Sequence, residues 1–170
     1  MNLKRSIFYF PLIITLFFNS CSTTKKGILN QEYHTLTTKF NVLFNGKEAF
    51  SIGEEILSDA FEENFYELLP VEPINLRGEN IDETTIIPGF DRAEEKAVKA
   101  IQKHSLKIND IQYNRQIDDA YLLLGKARYF DRRFFPALEA FNFLLESPTN
   151  RNSYIEGKIW REKTNIRLRN

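Results

Sequence analysis

Apolar residues between Gln31 and Ala60 recur at the three- and four-residue steps of an amphipathic helix. Tyr33, Leu36, Phe40 and Leu43 form one stripe; Ala49, Ile52, Gly53, Ile56, Leu57 and Ala60 form a second. Asn45-Gly46 between them reads as a turn. The spacing therefore predicts an N-terminal helical hairpin over residues 31–66, with helices at about 31–44 and 47–63. Pro70, Pro73 and Pro88, with Gly78 and Gly89, exclude a long helix over 67–90. That stretch predicts a linker, with a short strand around Leu69 to Ile74. Helical pattern resumes at Asp91, an N-cap residue with Glu94 three positions on as in a capping box. Ala93, Ala97, Ala100, Ile101 and His104 then share one face, and Asn109 to Arg115 is a polar connection.

Residues 91–170 predict further helix pairs. One helix runs through Asp119–Tyr129, Arg132-Arg133-Phe134 turns, a second helix starts at Pro136, and Pro148 closes the unit. Tyr121, Leu124 and Gly125 in the first helix, with Ala137 and Phe141 in the second, resemble the tetratricopeptide repeat. The physical reason is close packing: Gly125 and Ala137 let two backbones approach, while Tyr121, Phe134, Leu138, Phe141 and Leu145 fill the seam. Arg128 stands where an aromatic residue is common. A third helix, about Tyr154 to Leu168, opens a next repeat with Ile155, Ile159 and Trp160 inward. Its apolar face needs cover, so the expectation is that the protein continues past Asn170 or that another subunit caps this end. The helices beginning near Ala49, Ala97 and Ala137 are spaced 48 and 40 residues apart rather than 34. The predicted fold class is all-α: a tetratricopeptide-like solenoid of helix hairpins, irregular and truncated.

The N-terminus carries a different signal. Lys4 and Arg5 precede twelve uncharged residues, Ile7 to Phe18. Twelve residues are too few for a helix to cross the ~30 Å hydrocarbon core, but they suit a signal-peptide core. Phe18-Asn19-Ser20-Cys21 then resembles the lipobox of bacterial lipoproteins. That resemblance makes residues 1–20 a cleaved signal peptide, Cys21 the lipid attachment site, and residues 21–30 a polar tether. The alternative is an ordinary secretory signal in which Cys21 is incidental. Acyl chains contribute ~0.8 kcal/mol for each buried CH₂, so two or three of them hold a protein on a membrane almost permanently. Acylation would also remove a lone thiol from an oxidising compartment.

Composition narrows the chemistry. Among 170 residues, 23 Lys and Arg balance 23 Asp and Glu, so no overall field selects nucleic acid. One Cys and two His leave too few ligands for a zinc cage. His34 and His104 are 70 residues apart, and His104 near a helix C-terminus reads as a structural histidine facing the helix dipole. Glu54-Glu55, Glu62-Glu63, Glu94-Glu95 and Asp118-Asp119 are adjacent carboxylates. On a helix such neighbours point about 100° apart, so they form no acid–base dyad by themselves. Glu95 is placed to pair with Lys99. The chain holds no nucleophile-elbow, zinc-protease or phosphate-loop motif. No enzyme activity, catalytic residue, metal, cofactor or small-molecule substrate is expected. Arg132-Arg133 and Arg161, Lys163, Arg167 and Arg169 read as a solvated turn and a solvated helix face, with an acidic partner as the alternative. In tetratricopeptide repeats the first helix lines a groove, which nominates Asp119, Leu122, Lys126 and Tyr129 as a surface for an extended peptide or a partner helix.

Four segments together resemble the N-terminal part of the SprE/PorW lipoproteins of Bacteroidetes gliding motility and type IX secretion. They are Cys21-Ser22-Thr23-Thr24-Lys25-Lys26, Tyr33 through Ala49, Ala97 through Ser105, and Asp118 through Phe141, with Phe-Asn-Gly-Lys-Glu-Ala at 44–49 the most specific. The resemblance implies a lipid-anchored scaffold on the periplasmic face of the outer membrane, contacting other proteins of the secretion and motility machinery. It also implies a longer protein than 170 residues. Other readings are a tetratricopeptide lipoprotein of outer-membrane barrel assembly and a glycan-binding surface lipoprotein.

Overall fold

The computed structural model describes residues 27–66, 72, 74 and 88–169. The expected signal peptide, Cys21, most of the tether and most of the linker, including the strand expected around Leu69 to Ile74, lie outside these residues. The fold is all-α, with one two-stranded ribbon.

The first 32 helical positions form one rod: α1 (Ile28–Thr37), a π-helical segment (Thr38–Leu43) and α2 (Phe44–Asp59). The hairpin expected at Asn45-Gly46 is not formed, and the tether stops at Gly27, where the rod begins. Gly46 serves helix packing instead of a turn. A Cβ there would lie 2.9 Å from Leu123 Cδ2 and 3.1 Å from Lys96 Cβ. In the π segment the Thr38 hydroxyl donates to the His34 carbonyl at 2.6 Å, and Asn45 Nδ2, just beyond it, donates to the Asn41 carbonyl at 2.6 Å. Val42 and Leu43, adjacent in this segment, are both buried. Inward positions are His34, Thr38, Val42, Leu43, Gly46, Ala49, Phe50 and Gly53. The expected stripe of Tyr33, Leu36 and Phe40, with Ile52 and Ile56, faces outward.

The rod's antiparallel partner is α3 (Phe90–His104), which lies beyond the linker in sequence. Gly53 meets Phe90, Gly46 meets Lys96, and His34 meets His104, an order that runs backward along one helix as it runs forward along the other. Ala93, Ala97 and Ala100 are fully buried and allow that approach. Gly89 caps α3 at φ 110°, a left-handed conformation, and a Cβ there would lie 2.5 Å from the Ala49 carbonyl oxygen. Asp91 is therefore not the cap residue; its carboxylate accepts from Gly89 N at 3.1 Å and Arg92 N at 2.7 Å. Glu94 does not reach back to close a capping box, because Arg128 and Arg133 hold it. Glu95 pairs with Lys96 at 2.9 Å rather than with Lys99.

The polar connection folds into a small ribbon, β1 (Lys107–Ile108) against β2 (Ile111–Gln112), antiparallel. Asn109 and Asp110 turn it at φ 52° and 61°, residues that tolerate left-handed geometry in a two-residue hairpin. Helix α4 (Gln116–Phe130) and helix α5 (Phe134–Glu146) then form an antiparallel pair. Their contacts step away from the Asp131-Arg132-Arg133 turn: Tyr129 with Phe134, Arg128 with the Pro136 carbonyl, Gly125 with Phe141, and Tyr121 with Phe143. Helix α6 (Arg151–Arg169) packs on both. Its inward face is Ser153, Gly157 and Thr164 with half-buried Trp160, while Ile155 and Ile159 point outward, contrary to the sequence expectation. Small residues win this seam because a Cβ at Gly157 would already lie 2.6 Å from Leu144 Cδ2. The centre of the molecule is aromatic: Phe50, Phe90 and Phe130 sit with ring centroids 5.3–5.5 Å apart.

Candidate functional site

The residues expected to pack the repeat meet in one seam. Leu124, Ala137 and Phe141 are buried, Tyr121 is half-buried and stacks on Phe143, and an added Cβ at Gly125 would clash with the edge of the Phe141 ring. Arg128, where an aromatic is common, uses its length to span three elements. Its Nε donates to Glu94 on α3 at 2.8 Å, and its Nη1 donates to the Pro136 carbonyl on α5 at 3.1 Å. Arg133, from the turn expected to be solvated, joins Arg128 on Glu94. Burial pushes the Glu94 carboxyl up, but Arg133 and Arg128 more than offset it and hold it below the ordinary carboxylate value.

Asp119, Leu122, Lys126 and Tyr129 do not line an open groove. Leu122 and Tyr129 are buried, and the polar members are spent on α6. Asp119 accepts from Ser153 Oγ and, at 3.3 Å, from Asn150 Nδ2; Lys126 pairs with Glu156 at 3.1 Å. The Lys126 ammonium also lies 5.4 Å from the Phe50 ring and 5.1 Å from the Trp160 ring. The row nominated as a binding face is thus the seam between two parallel helices, since each successive α4 contact lies further along α6.

A second polar cluster closes the far end of that seam. The Tyr129 hydroxyl donates to Glu72 at 2.5 Å, Lys163 reaches Glu72 at 2.6 Å, and Arg167 contacts both Glu72 and the Tyr129 oxygen at 3.1 Å. Two members of the basic face expected to be solvated therefore have an acidic partner within the chain. Burial raises the Glu72 carboxyl, yet these three donors outweigh it and hold it below its ordinary value. The same burial, with Glu72 alongside, pushes the Tyr129 phenol up to about 12. Tyr129 is therefore a fixed donor at every physiological pH.

A third cluster lies where the rod, α3 and the ribbon meet. Although 70 residues separate them, the histidines touch, Nδ1 to Nδ1, at 3.0 Å. Below them Asn114 Nδ2 donates to the Thr38 hydroxyl and to the His104 carbonyl, both at 3.0 Å, while its Oδ1 accepts from Gln116 N and caps α4. One imidazole must donate across the contact. His34 Nε2 is buried without a partner, so assigning the donated proton to His34 Nδ1 leaves only a bare lone pair buried there. Protonating that nitrogen would bury a cationic N–H with no acceptor. Burial lowers the pKa of both rings, and for His104 the neighbouring His34 and Lys99 charges add to it.

A ring with a lowered folded-state pKa takes up its proton first in the unfolded chain, so its contribution is full above the ordinary value near 6.5 and is lost as pH falls. The urea midpoint should therefore drop between pH 7.5 and 5.5. In the His34→Gln/His104→Gln variant it should stay flat over that window, with the lowered Glu72 and Glu94 carboxyls acting only below about pH 4.5. An equal pH slope in both proteins would remove the histidine pair as its cause.

Beside this junction runs a groove lined by Gln31, Glu32, Thr35, Gln112, Tyr113, Arg115, Gln116 and Thr149, all residues with a polar group on the side chain. Among the described residues no three His, Cys, Asp or Glu side chains gather as metal ligands, and no helix is long and apolar enough to cross a membrane. Comparison with known proteins adds no assignment: no protein-family model and no curated protein sequence matches this chain.

Proposed function

We propose that the chain is a lipid-anchored helical scaffold on the periplasmic face of the outer membrane, making protein–protein contacts in a type IX secretion and gliding machinery. The observation that carries the scaffold reading is the stacking of α6 on α4. Asp119 and Ser153 meet across that seam 34 residues apart, the length of a tetratricopeptide repeat. Such stacking extends by adding helix pairs and presents broad outer faces to partners. The lipobox-like segment ending at Cys21 supports the anchor, and the likeness to SprE/PorW supports the machinery. The groove first nominated on α4 has no part in this reading, because α6 covers it.

Crosslinking and pull-down from intact cells should recover outer-membrane secretion and motility proteins, and deletion should block secretion of large cargo. Normal secretion and gliding in the deletion strain would end this reading. Recovery of the barrel insertase instead would select the barrel-assembly alternative, and a thermal shift on adding polysaccharide would select the glycan-binding one. Palmitate labelling should be complete in the wild type and absent in Cys21→Ser. Equal labelling of both proteins would remove the anchor.

A further inference from the structure

The N-terminal rod carries a second apolar face that no other described residue covers. Ile28, Leu29, Tyr33, Leu36, Phe40 and Phe44 are 78%, 87%, 50%, 51%, 65% and 56% exposed. From Leu29 onward they step by 4, 3, 4 and 4 residues, and the π segment's wider turn keeps Phe40 and Phe44 on the same line. The line lies opposite His34, Thr38, Val42 and Gly46, which face α3 and α4. A soluble helix facing a core needs one apolar stripe, and this rod has two.

Charge divides the rod at the point where the outer stripe ends. Over residues 28–47 Lys39 and Lys47 outnumber Glu32, and Lys25-Lys26 precede them in sequence. Over 48–66 there are six acids, Glu48, Glu54, Glu55, Asp59, Glu62 and Glu63, and no base. Lys39 lies 5.0 Å from the Phe40 ring, so a cation accompanies the stripe itself. An aromatic, basic half followed by an acidic half is the pattern of a helix whose first part lies in the headgroup region of an anionic bilayer while the second is held off it.

We propose that this outer face of the rod, from Ile28 to Phe44, docks on a phospholipid surface bearing anionic headgroups. The proposal rests on the lipid-anchored reading for its orientation. Five residues separate Cys21 from Gly27, and the six Cα–Cα steps between them, at ~3.5 Å each, span roughly 20 Å at most. An acyl anchor at Cys21 thus keeps the start of the stripe within that distance of the membrane, where docking is effectively intramolecular. The lipid holds the protein and the stripe sets its angle, presenting α5 and α6 away from the bilayer.

The test uses residues 21–170 with Cys21→Ser, which retains every described residue and carries no lipid. Flotation with vesicles containing phosphatidylglycerol should recover the protein, and flotation with pure phosphatidylcholine should recover much less. Phe40→Ser/Phe44→Ser should weaken partitioning about a hundredfold, and Lys39→Glu/Lys47→Glu should abolish the preference for anionic vesicles. Unchanged circular dichroism and melting would show that these exposed positions leave the fold intact. Absent binding to anionic vesicles, or binding that the Phe substitutions leave unchanged, would overturn the proposal. So would stripe substitutions that instead dissociate a dimer or a crosslinked protein complex. Because the measured protein is unlipidated, a negative palmitate experiment would overturn the anchor without touching this result.

Discussion

Gly125→Ala should destabilise the protein by about 2–4 kcal/mol, although the same change in an exposed helix gains up to about 1 kcal/mol. The sign reverses because of Phe141. Position 125 is buried in the middle of α4, and the new methyl would occupy space now filled by the edge of the Phe141 ring. That ring has no exposed surface, and its neighbours on α5, Ala137, Ala140 and Leu144, are buried with it, so the helices themselves must part. Phe141→Ala, which opens a cavity in the same seam, should cost about 3–5 kcal/mol. The two sites are in contact and should not add. Gly125→Ala combined with Phe141→Leu should be less damaged than the sum of its parts, since a smaller side chain makes room for the methyl. Urea unfolding of the wild type, Gly125→Ala, Phe141→Leu and their combination measures this. A neutral Gly125→Ala, or strict additivity, would mean that the ring does not rest on position 125.

That seam was legible because its pattern is local. Tyr121, Leu124, Gly125, Ala137 and Phe141 lie within two adjacent helices, and the spacing alone sets which of them meet. Gly46 was misread because glycine serves two opposed purposes. In a turn it relieves backbone strain, and in a helix it admits a neighbour; only the presence of Leu123 and Lys96 decides between them. The rod was also misread in its orientation. Hydropathy assigned the stripe of Tyr33, Leu36 and Phe40 to the core, whereas Ala93, Ala97 and Ala100 meet a face of small and polar residues. The same bias turned Ile155 and Ile159 inward on α6 in place of Ser153 and Gly157. Apolar periodicity finds a helix well, but it does not reveal a buried face that packs through small and polar residues.

The polar clusters were illegible for a different reason. His34 with His104, and Glu72 with Tyr129, Lys163 and Arg167, join positions 38–95 residues apart, and no periodicity links such distances. Asn114 was read only as part of the polar connection between helices. Its bonds to Thr38 and the His104 carbonyl exist only where the rod packs onto α3. The row of Asp119, Leu122, Lys126 and Tyr129 was correctly seen as one face of α4. What sequence left open was its neighbour, and α6 takes that place.

How firmly α6 holds there depends on Asp118, and Asp118→Ala should cost about 3 kcal/mol. The carboxylate is 5% exposed, and one oxygen accepts from Thr149 N at 2.6 Å, Asn150 N at 2.6 Å and the Thr149 hydroxyl at 3.0 Å. These donors belong to the loop that starts α6, so the side chain fixes where that helix begins. Alanine would leave two half-buried backbone N–H groups without their acceptor, each costing about 1–3 kcal/mol when water cannot replace it, with local opening recovering part of the loss. Asp118→Asn keeps one acceptor oxygen but not the charge, and should cost about half as much. Asp119, beside it, bonds Ser153 and Asn150, so the two adjacent carboxylates divide the work of tying α6 to α4. Hydrogen exchange at Thr149, Asn150 and the first turn of α6 should quicken in Asp118→Ala far more than exchange in α3. A loosened α6 would bare Leu122 and Tyr129, giving the variant an apolar groove that the wild type keeps closed. Binding of a hydrophobic dye to Asp118→Ala but not to the wild type, below the unfolding transition, would report that opening. A stability change within 0.5 kcal/mol, with unaltered exchange, would mean that α6 is held by its apolar contacts alone.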